Sequence, residues 1–298
     1  MASTVFHIEG GIGKNIAATA VIGAYKSSFP KRNIIVVSAY PDVWTNNPDV
    51  SRFYRHGNTP YFYQDIIKGK NVEVYMQDPY KQTSHILKKK HLINTWCDMI
   101  GIKYNNEPLK LHFNLREIEE GSAYISQFND GVKPILLFQP FGGPGPDHQQ
   151  HPYAWTRDIH PTQAQEIVDK LVDNFNIVHM CAEFHPQLNN VHRFDQQIGK
   201  KAMCSMVAHS HKRIFIDSSL QHAAAALDMP STVAWVATNA NVFGYNLHTN
   251  ITTKKEYVKG TVDSYMYDYN FTGVIHECPF KNLDELHDVD AIVKSVLD

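Results

Sequence analysis

The sequence predicts an α/β fold made of two units, each a parallel sheet with helices on its faces. Apolar, β-branched stretches alternate with helical patterns along the chain, which is typical of strand–helix–strand units. A glycine turn from Gly10 to Gly13 separates the first strand from the first helix. A second series of strands and helices begins near residue 134, and 298 residues suit two domains of about 150 each.

Composition narrows the class of protein. Hydrophobic residues make up 43% of the chain and charged residues 19%, which favours a well-formed core over disorder. The apolar runs are far shorter than the roughly 18 residues of a membrane span, and no signal-peptide pattern opens the chain. The four cysteines are scattered, and the net charge of −2 argues against a protein coated in positive charge for nucleic acid. We therefore expect a cytoplasmic protein without a membrane span or a disulfide framework.

The elements follow in order. In the first unit, strands are predicted over residues 4–8, 33–38 and 72–76, and helices over 16–27 and 83–100. The pattern then weakens, with a strand favoured over 109–115 and a helix over 116–128. In the second unit, strands are predicted over 134–139, 177–181, 213–217 and 232–236, and helices over 161–175 and 220–227. We place the domains at residues 1–130 and 131–298.

The glycine turn is a candidate binding element. Backbone N–H groups of Gly11 and Gly13, at the start of a helix, can bind a phosphate or a sugar hydroxyl. One alternative is the P-loop of an ATPase, but that pattern needs Gly in place of Ile8 and a magnesium-binding hydroxyl in place of Asn15. The other alternative is that the glycines only permit a tight turn and close helix packing.

A second candidate site lies where the strand ending at Asp217 meets an alanine-rich helix. The hydroxyls of Ser218 and Ser219, together with free N–H groups at the helix start, predict an anion site. His222 lies about one turn into the helix and can point at the same anion. The alternative is that Asp217 and Ser218 merely cap the helix.

Other polar residues follow the neighbouring strands. Thr238 and Asn239 come after the strand at 232–236, and Glu183 follows the strand at 177–181, where it could bind ribose hydroxyls. Arg157 could neutralise a phosphate. Ligands of parallel-sheet proteins bind outside the carboxyl ends of the strands, so a nucleotide-type ligand is expected here.

The order of these pieces resembles glycosyltransferase family 9, the heptosyltransferase-like enzymes. The resemblance covers most of the chain: a glycine turn and helix ending at Phe29-Pro30, an Asn47-Pro48 element, a helix ending in Gly101-Ile102 and a strand leading to Gly142-Gly143. The strongest match is Asp217 to Pro230, which resembles the family motif D-[ST]-[GS]-x-x-H-x-x-A-A-L-x-x-P. Residues 235–244 resemble the donor loop that follows it, with Thr238 in the position of the family's threonine.

The resemblance implies a GT-B fold of two facing Rossmann-like domains with a cleft between them. The first domain would bind the acceptor and the second a nucleotide-sugar donor, without a cofactor or a metal, in a cytoplasm of bacterial or phage-infected origin. Ser218, Ser219 and His222 would meet the diphosphate and Glu183 the ribose. Arg157 stands where the family usually has a lysine near phosphate. The activity implied is inverting transfer of a hexosyl, pentosyl or heptosyl group to a hydroxyl.

The chain departs from the family at the catalytic base. Lys14 occupies the position of the family's aspartate, and a lysine cannot deprotonate a hydroxyl unless its pKa is strongly lowered. Glu9 and Asp78, which lie at the same predicted sheet edge, are the candidates for the base, whereas Lys14 could bind an anion. The alternative is that Glu9 pairs with Lys14 while Asp78 caps the next helix.

The acceptor stays open at this point. It could be a saccharide, a glycolipid or a modified DNA base. The basic cluster of Lys81, Lys88–Lys90 and His91 would suit a phosphorylated glycolipid or a nucleic-acid backbone. The aromatic residues Tyr61, Phe62, Tyr63 and Tyr80 could stack on a sugar or base, or could simply pack. The 17 histidines show no zinc spacing, so no metal site is predicted. A non-catalytic nucleotide-sugar-binding protein remains an alternative, as does an ATPase, and the oligomeric state is open.

Overall fold

The computed structural model describes residues 2–87, 89–142, 154–258, 278 and 280–298. The chain divides into two compact units, residues 1–116 and 117–298. Each unit contains one sheet, and every pairing between its named strands is parallel. The α/β class predicted from the alternating pattern is confirmed.

The first unit is built on four strands in the order β3-β2-β1-β4. The strands are β1 (Ser3–Ile8), β2 (Asn33–Ser38), β3 (Arg52–Arg55) and β4 (Val72–Tyr75). Phe6 on the central strand pairs in register with Val36 on one side and Tyr75 on the other. The carboxyl ends of these parallel strands therefore lie along one edge of the sheet, and the glycine turn follows β1 at that edge.

Helix α1 (Ile12–Ser28) forms the interior of this unit. Twelve consecutive residues from Lys14 to Tyr25 are buried, so the helix is covered on all sides rather than along one stripe. The Tyr25 hydroxyl bonds Thr4 Oγ1 at 2.9 Å and donates to Glu73 Oε2 at 3.1 Å, which ties the helix to β1 and β4. Burial raises the pKa of Tyr25 to about 12, so this phenol stays protonated.

Two predicted elements of the first unit are wrong. The helix expected over 83–100 is interrupted, giving α2 (Thr83–Ile86) and α3 (Leu92–Met99). The His91 ring accepts a hydrogen bond from Ile93 N at 3.3 Å, so a new helix begins there with its own cap. Residues 109–115, all of which the structure describes, form no strand. Instead of pairing with another strand, Lys110 N donates to Thr19 Oγ1 on α1 at 2.8 Å.

The second unit is built on six strands in the order β10-β9-β8-β5-β6-β7. The strands are β5 (Ile135–Phe138), β6 (Asn176–Met180), β7 (His192–Phe194), β8 (Lys212–Ile216), β9 (Thr232–Trp235) and β10 (Thr249–Thr252). The helices named in this chain from residue 115 onward are α4 (Leu115–Ser126), α5 (Pro161–Leu171), α6 (Lys200–His209), α7 (Ser219–Ala226), α8 (Ala240–Phe243) and α9 (Val289–Leu297). Strands β5, β8 and β9 are buried along their whole named lengths, apart from the partly exposed Lys212, which explains their continuous apolar sequences.

Helix α4 packs with the second unit, although its sequence precedes the boundary predicted after residue 130. Ile125 belongs to the same apolar cluster as Val207 on α6. A Cβ built on Gly121 would lie 2.5 Å from Ser205 Oγ and 3.0 Å from Met206 N, so only glycine permits this close approach of α4 and α6. The structural division therefore falls at the start of the helix.

Candidate functional site

The turn after β1 confirms the need for glycine. Gly10 has φ +98°, and a Cβ there would lie 2.8 Å from Lys14 Cδ. Gly11 is the N-cap of α1, and no heavy atom of the described residues lies within 4 Å of the position of an added Cβ. The backbone at Gly11 is therefore accessible, and Gly13 follows in the first turn of the helix. Whether either residue binds a donor stays a prediction.

Lys14 is buried beside a carboxylate and two aromatic rings. Its Nζ donates to Asp78 Oδ1 at 2.8 Å, and only 5% of the lysine side chain is exposed. The same ammonium lies 4.4 Å from the centre of the Tyr80 ring and 5.7 Å from that of Trp96. A buried ammonium needs such partners because it has lost its hydration.

Asp78 accepts a second hydrogen bond at the same oxygen. The donor is Tyr80 N at 3.0 Å, so Asp78 caps the short 3₁₀ helix Pro79–Lys81, as the structural alternative predicts. The other half of that alternative is wrong, because Lys14 pairs with Asp78 rather than with Glu9. Glu9 is exposed and lies near His7, with Oε1 3.8 Å from Nδ1.

Asn15 has a purely internal role. Its Oδ1 accepts from Ser38 Oγ and from Trp44 Nε1 at 3.3 Å, and its Nδ2 donates to Gly11 O. The side chain thus joins α1 to β2 and is fully buried. A P-loop needs a hydroxyl at this position that reaches magnesium, so the ATPase alternative finds no support in this geometry.

In the second unit, Ser218 lies where β8 leads into α7. Its Oγ accepts from Leu220 N at 3.3 Å and donates to Gln139 Oε1 at the end of β5. The hydroxyl therefore caps the helix, as the alternative interpretation expects, and also links two adjacent strand ends. Ser219 is the first helical residue and is partly exposed.

Asp217 brings several of the predicted residues together. Desolvation raises the pKa of Asp217 to about 6, while the charge of Arg157 and the nearby polar side chains of Thr238 and Gln221 act to lower it. The guanidinium of Arg157 lies against Gly142, where a Cβ would be 2.9 Å from Nε. A carboxyl group, a guanidinium and a hydroxyl thus lie near one another at the carboxyl edge of this sheet.

A buried carboxylate fixes the segment that carries Arg157. Asp158 Oδ1 accepts from Gly142 N and its Oδ2 from Ala154 N, both at 2.8 Å. These two donors flank residues 143–153, which lie outside the described part of the chain and include Gly143 of the predicted Gly142-Gly143 element. The backbone on both sides of that segment is held by one side chain.

His222 is held inside the protein by neighbours on two elements. Its Nδ1 lies 2.6 Å from the Tyr245 hydroxyl, and its Nε2 lies 3.1 Å from Gln221 Nε2. Gln221 Nε2 in turn donates to Phe243 O at 3.1 Å. These bonds join α7 to the loop after α8, and the predicted contact of His222 with phosphate stays a prediction.

The remaining predicted donor residues lie at the ends of neighbouring strands. Asn239 follows β9 and caps α8 by accepting from Asn241 N at 2.8 Å. Glu183 lies three residues after β6 and is exposed. Sequence reasoning missed Gln139 and Tyr245, although a glutamine directly after a buried strand is a signal that could have identified the former.

The residues proposed for the acceptor are spread over the first unit. Tyr61 and Tyr63 are exposed, whereas Phe62 packs on Tyr54 with ring centres 5.1 Å apart. In the basic cluster, Lys90 pairs with Asp98, and Lys88 lies outside the described residues. Acceptor binding at these residues stays a prediction.

The comparisons identify the fold. No protein-family model and no curated protein sequence matches the chain. Among solved structures, a glycosyl transferase family 9 protein from Veillonella parvula matches with 13% identity and a TM-score of 0.67, over 98% of this chain and 95% of that one. The ADP-heptose LPS heptosyltransferase II of E. coli matches with 13% identity and a TM-score of 0.59 over 100% of both chains.

A third structure, E. coli heptosyltransferase WaaC with ADP, matches with 10% identity and a TM-score of 0.52, over 91% of this chain and all of that one. The chain therefore has the fold of the glycosyltransferase family 9 structures, and the predicted resemblance is confirmed at that level. In the part of the chain described here, no helix is long and apolar enough to cross a bilayer.

Proposed function

We propose that the chain is a glycosyltransferase that moves a sugar from a nucleotide-sugar donor to an acceptor hydroxyl. A shared fold alone does not establish an activity, so the proposal depends on the site. The observation that carries it is the group of Arg157, Asp217 and Ser218 at the start of α7, at the carboxyl edge of a parallel sheet. Ligands bind at this edge in such sheets, and one structural neighbour is described as binding ADP.

This arrangement suits a diphosphate leaving group. The N-terminus of α7 carries partial positive charge, and the Arg157 guanidinium adds a full one. Charge builds on the diphosphate as the bond to the sugar breaks, so these groups stabilise the transition state more than the ground state. We propose that the helix N-terminus and Arg157 supply the positive charge at the diphosphate and that transfer is metal-independent.

Removal of the acceptor proton requires a base, and we assign it to Asp78. Lys14 and Tyr80 N both bind Oδ1, so these two bonds orient the carboxylate and leave Oδ2 for the acceptor hydroxyl. The family's aspartate is replaced by Lys14 here, and Lys14 holds a carboxylate from the end of β4 beside that position. Glu9 is the second candidate, although no described bond orients it as firmly.

Donor binding is tested first, with ADP and UDP as probes in titration calorimetry. Arg157→Met is expected to weaken binding at least about 10-fold, the effect of losing one charge-assisted bond. Arg52→Met is the matched control, because Arg52 is exposed on β3 of the first unit. Equal binding by wild type and Arg157→Met would contradict the donor site.

Transfer is tested by release of the nucleoside diphosphate from a panel of nucleotide sugars. Saccharide, glycolipid and hydroxymethylated DNA acceptors should be supplied separately, because each chemistry suits the exposed tyrosines and lysines of the first unit. The replacement of the family's aspartate by Lys14 favours one other candidate, a donor-binding protein without catalysis. Donor binding without release of nucleoside diphosphate for any acceptor would favour that candidate.

A further inference from the structure

Three side chains with metal-binding atoms converge at the carboxyl edge of the first sheet. They are His7 near the end of β1, Glu9 just beyond it, and His56 immediately after β3. One ligand atom from each residue lies within 4.8 Å of the other two. The cluster lies within the first unit and depends on nothing in the second.

The backbone fixes where these residues stand. His7 pairs with Val37 on β2, and His56 N donates to Ser38 O at 2.8 Å, so the two histidines flank the end of β2. Their rings meet edge to face with centres 4.7 Å apart. The strand order β3-β2-β1 thus brings together residues that are 49 positions apart in the sequence.

The distances approach those of a coordination sphere. Ligand atoms at about 2.1 Å from one tetrahedral ion lie about 3.4 Å apart, and His7 Nδ1 lies 3.8 Å from Glu9 Oε1. Glu9 and His56 are exposed, so rotation of their side chains can close the remaining difference.

His7 provides an independent observation. Its Nδ1 atom is buried and has no hydrogen-bond partner among the described residues, because Glu9 is too distant for a hydrogen bond. A buried ring nitrogen without a hydrogen-bond partner has a lone pair that an ion can use. The atom lies 3.8 Å from Glu9 Oε1, so a cation between them would be bound by both groups.

We propose that His7, Glu9 and His56 bind a divalent transition-metal ion of the zinc class. Two imidazoles and one carboxylate suit Zn²⁺, Fe²⁺ or Co²⁺, whereas Mg²⁺ and Ca²⁺ prefer oxygen ligands alone. Three protein ligands leave a coordination position for water. This site is separate from the residues assigned to the donor diphosphate.

The test measures binding without donor or acceptor, so its result is independent of the proposed function. Chelator-treated protein is titrated with Zn²⁺ against a chromophoric competitor, and with Co²⁺ while the visible d–d bands are recorded. His56→Ala and Glu9→Gln are the test variants, since both residues are exposed and their replacement should leave the fold intact. His192→Ala is the control, because His192 is an exposed histidine on β7 of the second unit.

We expect one Zn²⁺ per chain that Mg²⁺ does not displace. His56→Ala should lose at least about 100-fold in affinity, since even a residue behind the ligands can contribute that much. The cobalt bands should be lost in His56→Ala and Glu9→Gln and retained in His192→Ala. Absence of stoichiometric Zn²⁺ binding in the wild type would overturn the proposal, as would unchanged affinity and cobalt spectra in the two test variants.

Discussion

The Asp78→Asn substitution tests the assigned base and the role of Lys14 together. It keeps the size of the side chain and its ability to cap residues 79–81, but it removes the charge next to the Lys14 ammonium. At the 2.8 Å separation of Nζ and Oδ1, Coulomb's law with an effective dielectric constant of about 20 gives roughly 6 kcal/mol of attraction. Burial of the lysine offsets most of this, so we expect a net coupling of about 1–3 kcal/mol.

The coupling is measured with Asp78→Asn, Lys14→Met and the double variant in urea unfolding. Fluorescence reports on this region because the Trp96 ring lies 5.7 Å from Lys14 Nζ. For transfer, Asp78→Asn should lower kcat at least about 100-fold with little change in the KM for donor, as expected for loss of a general base. Lys14→Met should lower kcat less, because the carboxylate remains.

Two outcomes would refute this reasoning. If Asp78→Asn keeps kcat within about 10-fold of wild type, Asp78 is not the base, and Glu9→Gln becomes the next variant. If the double-variant coupling is below about 0.5 kcal/mol, the ion pair does not hold the carboxylate in place.

Two further predictions concern the second unit. Gly121→Ala should cost about 1–3 kcal/mol of stability in thermal unfolding, because the added Cβ would overlap Ser205 Oγ and crowd Met206 N. Gly199→Ala is the control and should cost little, because the space around Gly199 is open. Equal losses of stability in the two variants would contradict the close packing of α4 on α6. Because the pKa of Asp217 is raised to about 6, the folded state binds more protons than the unfolded state between about pH 4 and 6, so stability should fall as pH rises through this range. At pH 8 this loss of stability should be about 2–3 kcal/mol in the wild type and should be absent in Asp217→Asn. If stability depends on pH in the same way in the variant and in the wild type, the raised pKa of Asp217 is contradicted.

Local patterns in the sequence were enough to predict most elements. The glycine turn, the buried strands β5, β8 and β9 and the capped start of α7 each follow from a few adjacent residues. Gly10 is an example. Its positive φ and its closeness to Lys14 both disfavour a residue with a side chain, so the residue type indicates the backbone conformation directly.

Contacts between residues far apart in the sequence could not be predicted from such local patterns. The pairing of Lys14 with Asp78 depends on β4 lying beside β1, and the cluster of His7, Glu9 and His56 depends on the order β3-β2-β1. No spacing in the sequence encodes either arrangement. The break between α2 and α3 was missed for a different reason, because the apolar residues on both sides of it continue a helical pattern while His91 caps a new helix.

The burial of residues 14–25 of α1 has a consequence for motion. A helical segment covered on every side opens only when the whole unit unfolds, so the amide hydrogens of residues 14–25 should exchange with solvent among the slowest in the first unit. The accessible backbone at Gly11 is joined directly to that protected segment. A ligand bound at this turn would contact backbone next to that protected segment, and we expect its binding to lose little entropy to ordering the protein.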